Sequence, residues 1–301
     1  LPGFVHSKVF VSDDEKAVVG SINMDMTVTA QRIPGKGETL LGESVSYIPG
    51  GKGANQAVAM AKLGAQVEMF GCVGDDSAGE RMLANLREQG VETARIKRIA
   101  GVPTGVALIT VAENDNTIVV VPGANAKVDV AYVKEIQEQL AQQDIVVLQQ
   151  EIPLETVYYV VRFCHEHHIP VLLNPAPATS VPADIIEKVT WLTPNEHEAV
   201  LIFGKERSVE DILKAYPEKL VITQGSKGVS TWTVQKGMCT VPSRKSNVVD
   251  TTGAGDTLNG AFAVRMAAGD SIEEALLYAN VAAGLSVEKF GAQSGMPTAA
   301  E

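Results

Sequence analysis

Residues 248–262 read Val-Val-Asp-Thr-Thr-Gly-Ala-Gly-Asp-Thr-Leu-Asn-Gly-Ala-Phe: an apolar β-branched run, a small triplet, and an acid. Beyond Asp256 the residues Leu258, Ala261, Phe262 and Met266 recur at helical spacing, with Arg265 as a polar interruption. The triplet Gly253, Ala254 and Gly255 therefore falls where a helix begins. Backbone N–H groups there lack helical partners, and the helix dipole favours negative charge. With no bulky side chain in the way, an anion can approach closely. Asp256 would share that site with the anion. A carboxylate has a use there if it takes a proton from a hydroxyl that then attacks phosphorus.

A second glycine-rich helix start lies at residues 49–59, Pro-Gly-Gly-Lys-Gly-Ala-Asn-Gln-Ala-Val-Ala, with Lys52 adding a positive charge. It is not a Walker A loop, since the glycine spacing and the terminal Lys-Ser/Thr pair are absent. Two such starts in one chain strengthen each other. Asn23 and Asp25 follow an apolar run at residues 17–22 and fall at the carboxyl end of a strand, where open α/β sheets bind ligands. They either hold substrate hydroxyls or form an Asx turn.

The elements that must position these groups follow from periodicity. Residues 27–31 and 39–48 read as β, separated by Pro34-Gly35-Lys36-Gly37. Residues 66–73 read as a strand, 77–89 as a helix stopped by Gly90, and 104–111 with 117–121 as a hairpin around residues 113–116. The strands near 26–49 and 102–122 would form a small sheet outside the main one, a natural lid or dimer surface. From about residue 128 helix and strand alternate, the pattern of a parallel sheet covered on both faces. Polar clusters recur at strand ends: Gln150-Glu151, Asn174, Pro194-Asn195-Glu196-His197-Glu198 and Gln224-Gly225-Ser226-Lys227-Gly228. All would converge on one sheet edge. The fold class expected is α/β, a three-layer α/β/α sandwich with a mostly parallel central sheet and a small β-sheet lid. Residues 16–301 form one such domain, and residues 1–15 are given no function.

Composition narrows the classes. The chain has 301 residues, 45% hydrophobic and 20% charged, with a formal net charge of -11. That balance argues against nucleic-acid or anionic-membrane binding, which draws on clustered Lys and Arg. No apolar run approaches the roughly 20 residues a membrane-spanning helix needs. No leader pattern precedes the first strand, and the three cysteines, Cys72, Cys164 and Cys239, are odd in number and widely spaced. A reducing cytoplasm is the expected compartment. Cys72 and Cys164 lie in apolar runs and read as core. His165, His167 and His168 sit at a helix end, which solvates cations without any metal.

The segment Asp250-Thr251-Thr252-Gly253-Ala254-Gly255-Asp256 resembles the second signature of the ribokinase-like (PfkB) carbohydrate kinases, and Gly50-Gly51-Lys52-Gly53-Ala54-Asn55 resembles the first. With Gly-Ser-Ile-Asn-Met-Asp near the start and Leu-Asn-Pro-Ala-Pro-Ala in mid-chain, the resemblance runs over residues 17–297 in the family's order. It implies a kinase that uses ATP, Mg²⁺ and K⁺ and phosphorylates D-ribose to D-ribose 5-phosphate. In that reading Asp256 is the catalytic base and Gly253, Ala254 and Gly255 form the anion hole. Asn23, Asp25, Gly51, Lys52, Asn55 and Glu151 match the pentose-binding positions. Thr223, Gly225, Ser226, Gly228, Gly255 and Asn280 match the nucleotide site. Asn195 and Glu198 match the element that governs Mg²⁺, mainly through water, with Asn195 also facing the nucleotide phosphates.

For K⁺ the resemblance implies Asp250 and Thr252, with Ser286, Lys289 and Gly291 as carbonyl donors. Gly295 stands where the family's last ligand is usually Ser, and Ser294 is one place early. Either Ser294 shifts in, a water substitutes, or the cation binds more weakly. Alternatives to ribose are another acceptor, such as deoxyribose, fructose, a nucleoside or a sugar phosphate. An alternative of another class is a non-catalytic sugar or nucleotide sensor. A homodimer joined through the lid is the expected assembly.

Overall fold

The computed structural model describes residues 15–113 and 115–301. The chain opens with β1 (Glu15–Val19), β2 (Asn23–Thr29), β3 (Ser44–Gly50), α1 (Lys52–Lys62), β4 (Gln66–Gly74) and α2 (Ser77–Glu88). Next come β5 (Val91–Glu92), β6 (Ile96–Ile99), β7 (Gly105–Ala112), β8 (Asp115–Val121) and α3 (Val130–Leu140). A regular alternation follows: β9 (Ile145–Leu148), α4 (Leu154–Glu166), β10 (Val171–Leu173), α5 (Ala183–Lys188) and β11 (Trp191–Leu192). The chain then runs through α6 (Glu196–Phe203), α7 (Val209–Ala215), β12 (Val221–Thr223), β13 (Val229–Thr233) and β14 (Gly237–Val241). It closes with α8 (Ala254–Ala267), α9 (Ile272–Ser286) and α10 (Ala292–Gly295).

The central sheet runs β11-β10-β9-β1-β4-β5, with β6 also paired to β4, and every pairing in it is parallel. Its strands are apolar on both sides because successive side chains point to opposite faces. Val18 and Val147 join one core with Val58 of α1 and Phe262 of α8, while Ala17, Val19 and Val146 join the other with Val133 of α3 and Val160 of α4. Helices therefore cover both faces, the expected three layers. Cys72 and Cys164 are fully buried. Among the described residues no helix is long and apolar enough to cross a membrane.

Local boundaries depart from the sequence reading in three places. The first strand stops at Val19, and Asn23 opens β2 instead of ending β1 in a loop. Asn and Asp are poor strand formers, but β2 is paired on both sides, antiparallel to β3 and parallel to β7, and that pairing decides the conformation. The Asx-turn alternative for Asn23 and Asp25 falls with it. β3 begins only at Ser44, so residues 39–43 are not strand. The alternation of helix and strand also does not persist: β12, β13 and β14 are an antiparallel meander. It meets the central sheet through two isolated bridges, Leu192 to Leu220 and Asn195 to Thr223. Residues 1–14 of the amino-terminal stretch, and Asn114 in the segment 113–116 expected as a turn, lie outside the described residues.

β3, β2, β7 and β8 form a separate four-stranded sheet. Below it α1 packs on α8, and the contact is close because Gly260 lacks a side chain. A Cβ added there would lie 2.8 Å from Ala59 Cβ and 3.0 Å from the Gln56 carbonyl oxygen. Gly260→Val is expected to force the two helices apart and cost about 1–3 kcal/mol of stability. Urea denaturation would show it as a lower midpoint with an unchanged slope. A midpoint equal to wild type would mean the contact is not tight.

Candidate active site

β1 lies between β9 and β4, so the chain changes direction across the sheet beside it. Crevices at such switch points, outside the carboxyl ends of the strands, are where α/β sheets bind ligands. Three backbone stretches meet here: the turn after β1, the turn after β9, and the start of α1. Gly51 caps α1 with φ 88°, and a Cβ on it would come within 2.7 Å of the Asn23 nitrogen. Glycine alone meets both demands. The Ala54 amide donates to the Ser21 carbonyl at 2.9 Å, which fixes the helix start against the β1 turn. Glu151 spans the same junction: its Oε2 accepts from Ser21 Oγ at 2.5 Å and from the Lys52 amide at 3.0 Å.

The α1–α8 contact brings the two glycine-bearing turns together. Asp256, in the first turn of α8, accepts from Asn55 Nδ2 at 2.9 Å through Oδ2 and from Gln56 Nε2 at 3.0 Å through Oδ1. Burial raises the Asp256 carboxyl above its ordinary range, while Lys52 and the two amide donors act to lower it. Burial also depresses the Lys52 ammonium, but Asp256, Glu151 and Glu198 outweigh that and raise it overall, so it stays charged.

Asn23 and Asp25 face the same cleft from the small sheet. Asn23 Oδ1 accepts from Asn125 Nδ2 at 2.7 Å, which fixes its amide, and Asn125 is itself held by the Ile22 amide. Asp25 Oδ1 is buried with no hydrogen-bond partner among the described residues. Burial, then Glu151, then Asp256 push the Asp25 carboxyl up from 3.8 to about 7. An acceptor left bare in this way suits a ligand rich in hydroxyls.

Gly253 caps α8 in the left-handed conformation with φ 78°, its Cα packed on Ala292, where an added Cβ would fall 2.8 Å from the Ala292 methyl. The first-turn amides of α8 then point outward without helical acceptors; that of Ala254 also reaches the Thr251 carbonyl at 3.2 Å. Ala254 and Gly255 border a cavity of about 540 Å³ whose wall also includes Thr223, Gly225, Ser226, Gly228 and Asn280. Every residue matched to the nucleotide site except Asn195 lines this cavity, and Asn195 is bridged to Thr223 beside it. Asn280 Nδ2 is fixed by the Pro242 carbonyl at 2.6 Å. Asn195 caps α6, accepting from the Glu198 amide at 2.9 Å, while Glu198 Oε2 accepts from the Asn195 amide at 2.8 Å. Burial raises the Glu198 carboxyl.

The remaining candidates lie in the segments on either side of α8 and α9. Asp250 accepts from the Thr252 amide and hydroxyl at 2.9 and 2.7 Å, and from the Gly291 amide at 2.9 Å. Burial pushes its carboxyl up, but these three donors outweigh it and hold the group below its ordinary value. The carbonyls of Ser286 and Lys289 both face Gly295, at 2.5 and 3.5 Å from where its Cβ would be. Ser294 does not turn toward them, because its hydroxyl donates to the Phe290 carbonyl at 2.6 Å.

Sequence reading passed over several residues of this region. Ser21, Gln56, Asn125, Gln149 and Gln293 are buried and contact a candidate directly or at one remove. Arg244, Lys245 and Ser246 line the cavity from an irregular loop that has no local pattern to reveal it. Arg244 pairs with Glu288 at 2.6 Å, and Ser246 donates to the Gly284 carbonyl at 2.7 Å, which ties that loop to α9.

Comparison with known proteins identifies the family. Residues 13–299 fit the pfkB family carbohydrate kinase description. A ribokinase of Bacillus subtilis is 51% identical over 93% of this chain and 95% of its own. One from Lactococcus lactis is 45% identical over 95% and 94% of the two chains. The structure of Arabidopsis thaliana ribokinase complexed with ribose and ATP superposes with a TM-score of 0.87 at 32% identity, covering 95% of this chain and 96% of that one. The cleft between the two glycine-bearing helix starts is thus set in a chain that belongs to the pfkB family of carbohydrate kinases.

Proposed function

We propose that this chain transfers the γ-phosphoryl group of ATP to the 5-hydroxyl of D-ribose. The observation that carries the reading is Asp256: a buried carboxylate, held on both oxygens by α1 amides, at the first turn of α8 and beside the cavity. Asp256 takes the hydroxyl proton as the new O–P bond forms and the bond from γ-phosphorus to the ADP oxygen breaks. The amides of Gly253, Ala254 and Gly255 take up the negative charge of the transferring group, where most of the rate enhancement resides. Asn23, Asp25, Gly51, Lys52, Asn55 and Glu151 hold the pentose hydroxyls. Thr223, Gly225, Ser226, Gly228 and Asn280 hold the nucleotide. Ribose as acceptor draws on the two relatives at 45% and 51% identity.

Two ions fit the donor sets present. Glu198 and Asn195 spend part of their capacity on the α6 cap, so they would hold Mg²⁺ through water; Mg²⁺, which usually keeps several of its waters, supplies neutralisation of phosphate charge. Asp250, kept charged, with Thr252 and the carbonyls near Gly295, suits K⁺ behind the anion hole. Gly295 brings no side-chain oxygen to the position of the family's serine, and an added Cβ there would meet the Ser286 carbonyl, so a water would complete the coordination.

The small sheet acts as lid and dimer surface. Tyr47, Leu108 and Val119 form a row with Met26 across one face and are 46%, 43% and 61% exposed. A second copy would cover that row in a homodimer, since an exposed apolar stripe across a sheet face invites association.

Asp256→Asn should lower kcat about 10²–10⁴-fold while calorimetry still registers ribose and nucleotide binding; unchanged turnover would remove the base from the mechanism. A panel of ribose, deoxyribose, fructose and nucleosides in a coupled ADP assay identifies the acceptor. Ribose affinity should tighten as pH rises through about 7, where Asp25 gains its charge. Because burial raises that carboxyl in the folded state, its charge destabilises the ligand-free protein: the cost is absent below 3.8, grows from there to about 7, and is complete above. Asp25→Asn should therefore abolish the pH dependence of binding and raise Tm at pH 8 but not at pH 3; a pH-independent wild-type affinity would argue against the assignment. Finally, replacing KCl by choline chloride should lower turnover in wild type and leave Asp250→Asn unaffected, which steady-state rates at equal ionic strength would show.

A further inference from the structure

We infer that Gln293 and Gln149 are positioning residues for phosphoryl transfer, because each donates into the amide that grips one oxygen of the Asp256 carboxylate. This rests on Asp256 as the base.

Two side-chain relays end on that carboxylate. In one, Asn85 Nδ2 donates to Gln293 Oε1 at 2.7 Å, Gln293 Nε2 to Asn55 Oδ1 at 3.0 Å, and Asn55 Nδ2 to Asp256 Oδ2 at 2.9 Å. In the other, Gln149 Nε2 donates to Gln56 Oε1 at 2.8 Å and Gln56 Nε2 to Asp256 Oδ1 at 3.0 Å. In the inner amides, and in Gln293, the oxygen receives from the outer neighbour and the nitrogen donates toward the acid. Turning one of them over would set oxygen against oxygen or N–H against N–H. Asn174 shares the Gln56 donor at 3.1 Å and is oriented in turn by the Thr193 carbonyl, its Nδ2 donating at 3.2 Å. Gln149 is fully buried, as is Gln56, while Gln293 is 6% exposed.

The direction of these bonds matters for the reaction. Without Gln293, Asn55 is free to present its oxygen to Asp256, which repels the charged form of the base. With Gln293 in place only the nitrogen faces the acid. Hydrogen bonds aligned in one direction also polarise one another. Lys52 from α1, Glu151 from the turn after β9, and Asp25 from β2 are the charged groups that bear on Asp256 from the elements around it. None of them orients the carboxylate plane; the amides do. The Gln293 backbone is anchored as well, because Lys62 Nζ donates to its main-chain carbonyl at 2.6 Å.

The test uses the full chain with Gln293→Leu, the isosteric Gln293→Glu, Gln149→Leu, and Asn55→Ala alone and combined with Gln293→Leu. Gln293→Leu and Gln149→Leu should each lower kcat about 10-fold to 100-fold, with the ATP KM within about twofold. On the Asn55→Ala background Gln293→Leu should change kcat by less than about twofold, since the relay is already cut. A purely structural role would lower Tm and add its full loss on that background. If the leucine variant does not fold, Gln293→Glu carries the comparison, as it keeps the shape and loses the donor. A second readout needs no substrate: ¹³C-aspartate NMR, with Asp256 assigned through Asp256→Asn, should show its carboxyl titrating at higher pH in Gln293→Leu and Gln293→Glu. Wild-type kcat kept by the Gln293 variants, a loss additive with Asn55→Ala, or an unmoved titration would each overturn the inference. If wild type fails on ribose but the titration moves, the acceptor assignment falls and the relay stands.

Discussion

Everything in the cleft depends on how closely α1 lies against α8. Both helices begin at glycine-bearing turns, and both begin at the same edge of the sheet. The missing side chain at Gly260 lets the backbones approach until Asn55 and Gln56 reach the Asp256 carboxylate. Few arrangements could keep an acid both buried and usable. A buried carboxylate with no donors would take up a proton and cease to be a base near neutral pH. One exposed to solvent would sit in a dielectric that weakens the nearby amides. Two amide donors and the Lys52 charge hold the middle ground.

The same packing divides the labour between layers. The central sheet contributes strand ends, the helices contribute their first turns, and the two smaller sheets close the cleft from opposite sides. The β2 sheet brings Asn23 and Asp25 to the cleft beside Glu151. The β12–β14 meander brings Thr223 and the turn that follows it to the wall of the cavity beside α8. The meander is bridged to the end of the central sheet at Leu220 and Thr223, and it sends Val221 into one core and Ile222 into the other.

How much of this was readable in the chain depended on how local each signal was. Asp256 and both glycine turns could be found because a strand end, small residues and a helical period follow one another within a dozen positions. Their meeting, across about 200 positions of sequence, could be stated only through the family resemblance. The relay through Gln293 and Asn85 joins residues 208 positions apart, and a lone glutamine carries no mark of its partner. The apolar run at residues 17–22 puts Asn23 and Asp25 just past the first strand, but pairing on both sides draws them into β2. Val248 and Val249 mislead in the other direction: apolar and β-branched, they are 63% and 62% exposed, beside the cavity.

The crowding of acids in the acceptor cleft has a bearing on selectivity that precedes any reading of stereochemistry. Asp25, Glu151 and Asp256 border one small volume with Lys52 as their cation. Even with Asp25 half-protonated near neutrality, the balance is negative. An entering molecule that already carries phosphate or carboxylate meets repulsion on the order of 4 kcal/mol per close pair at intermediate dielectric. Uncharged polyols meet only acceptors for their hydroxyl protons. Under the function proposed above, the cleft would work as a charge filter, turning away acidic metabolites at the entrance and leaving hydroxyl geometry to sort what remains.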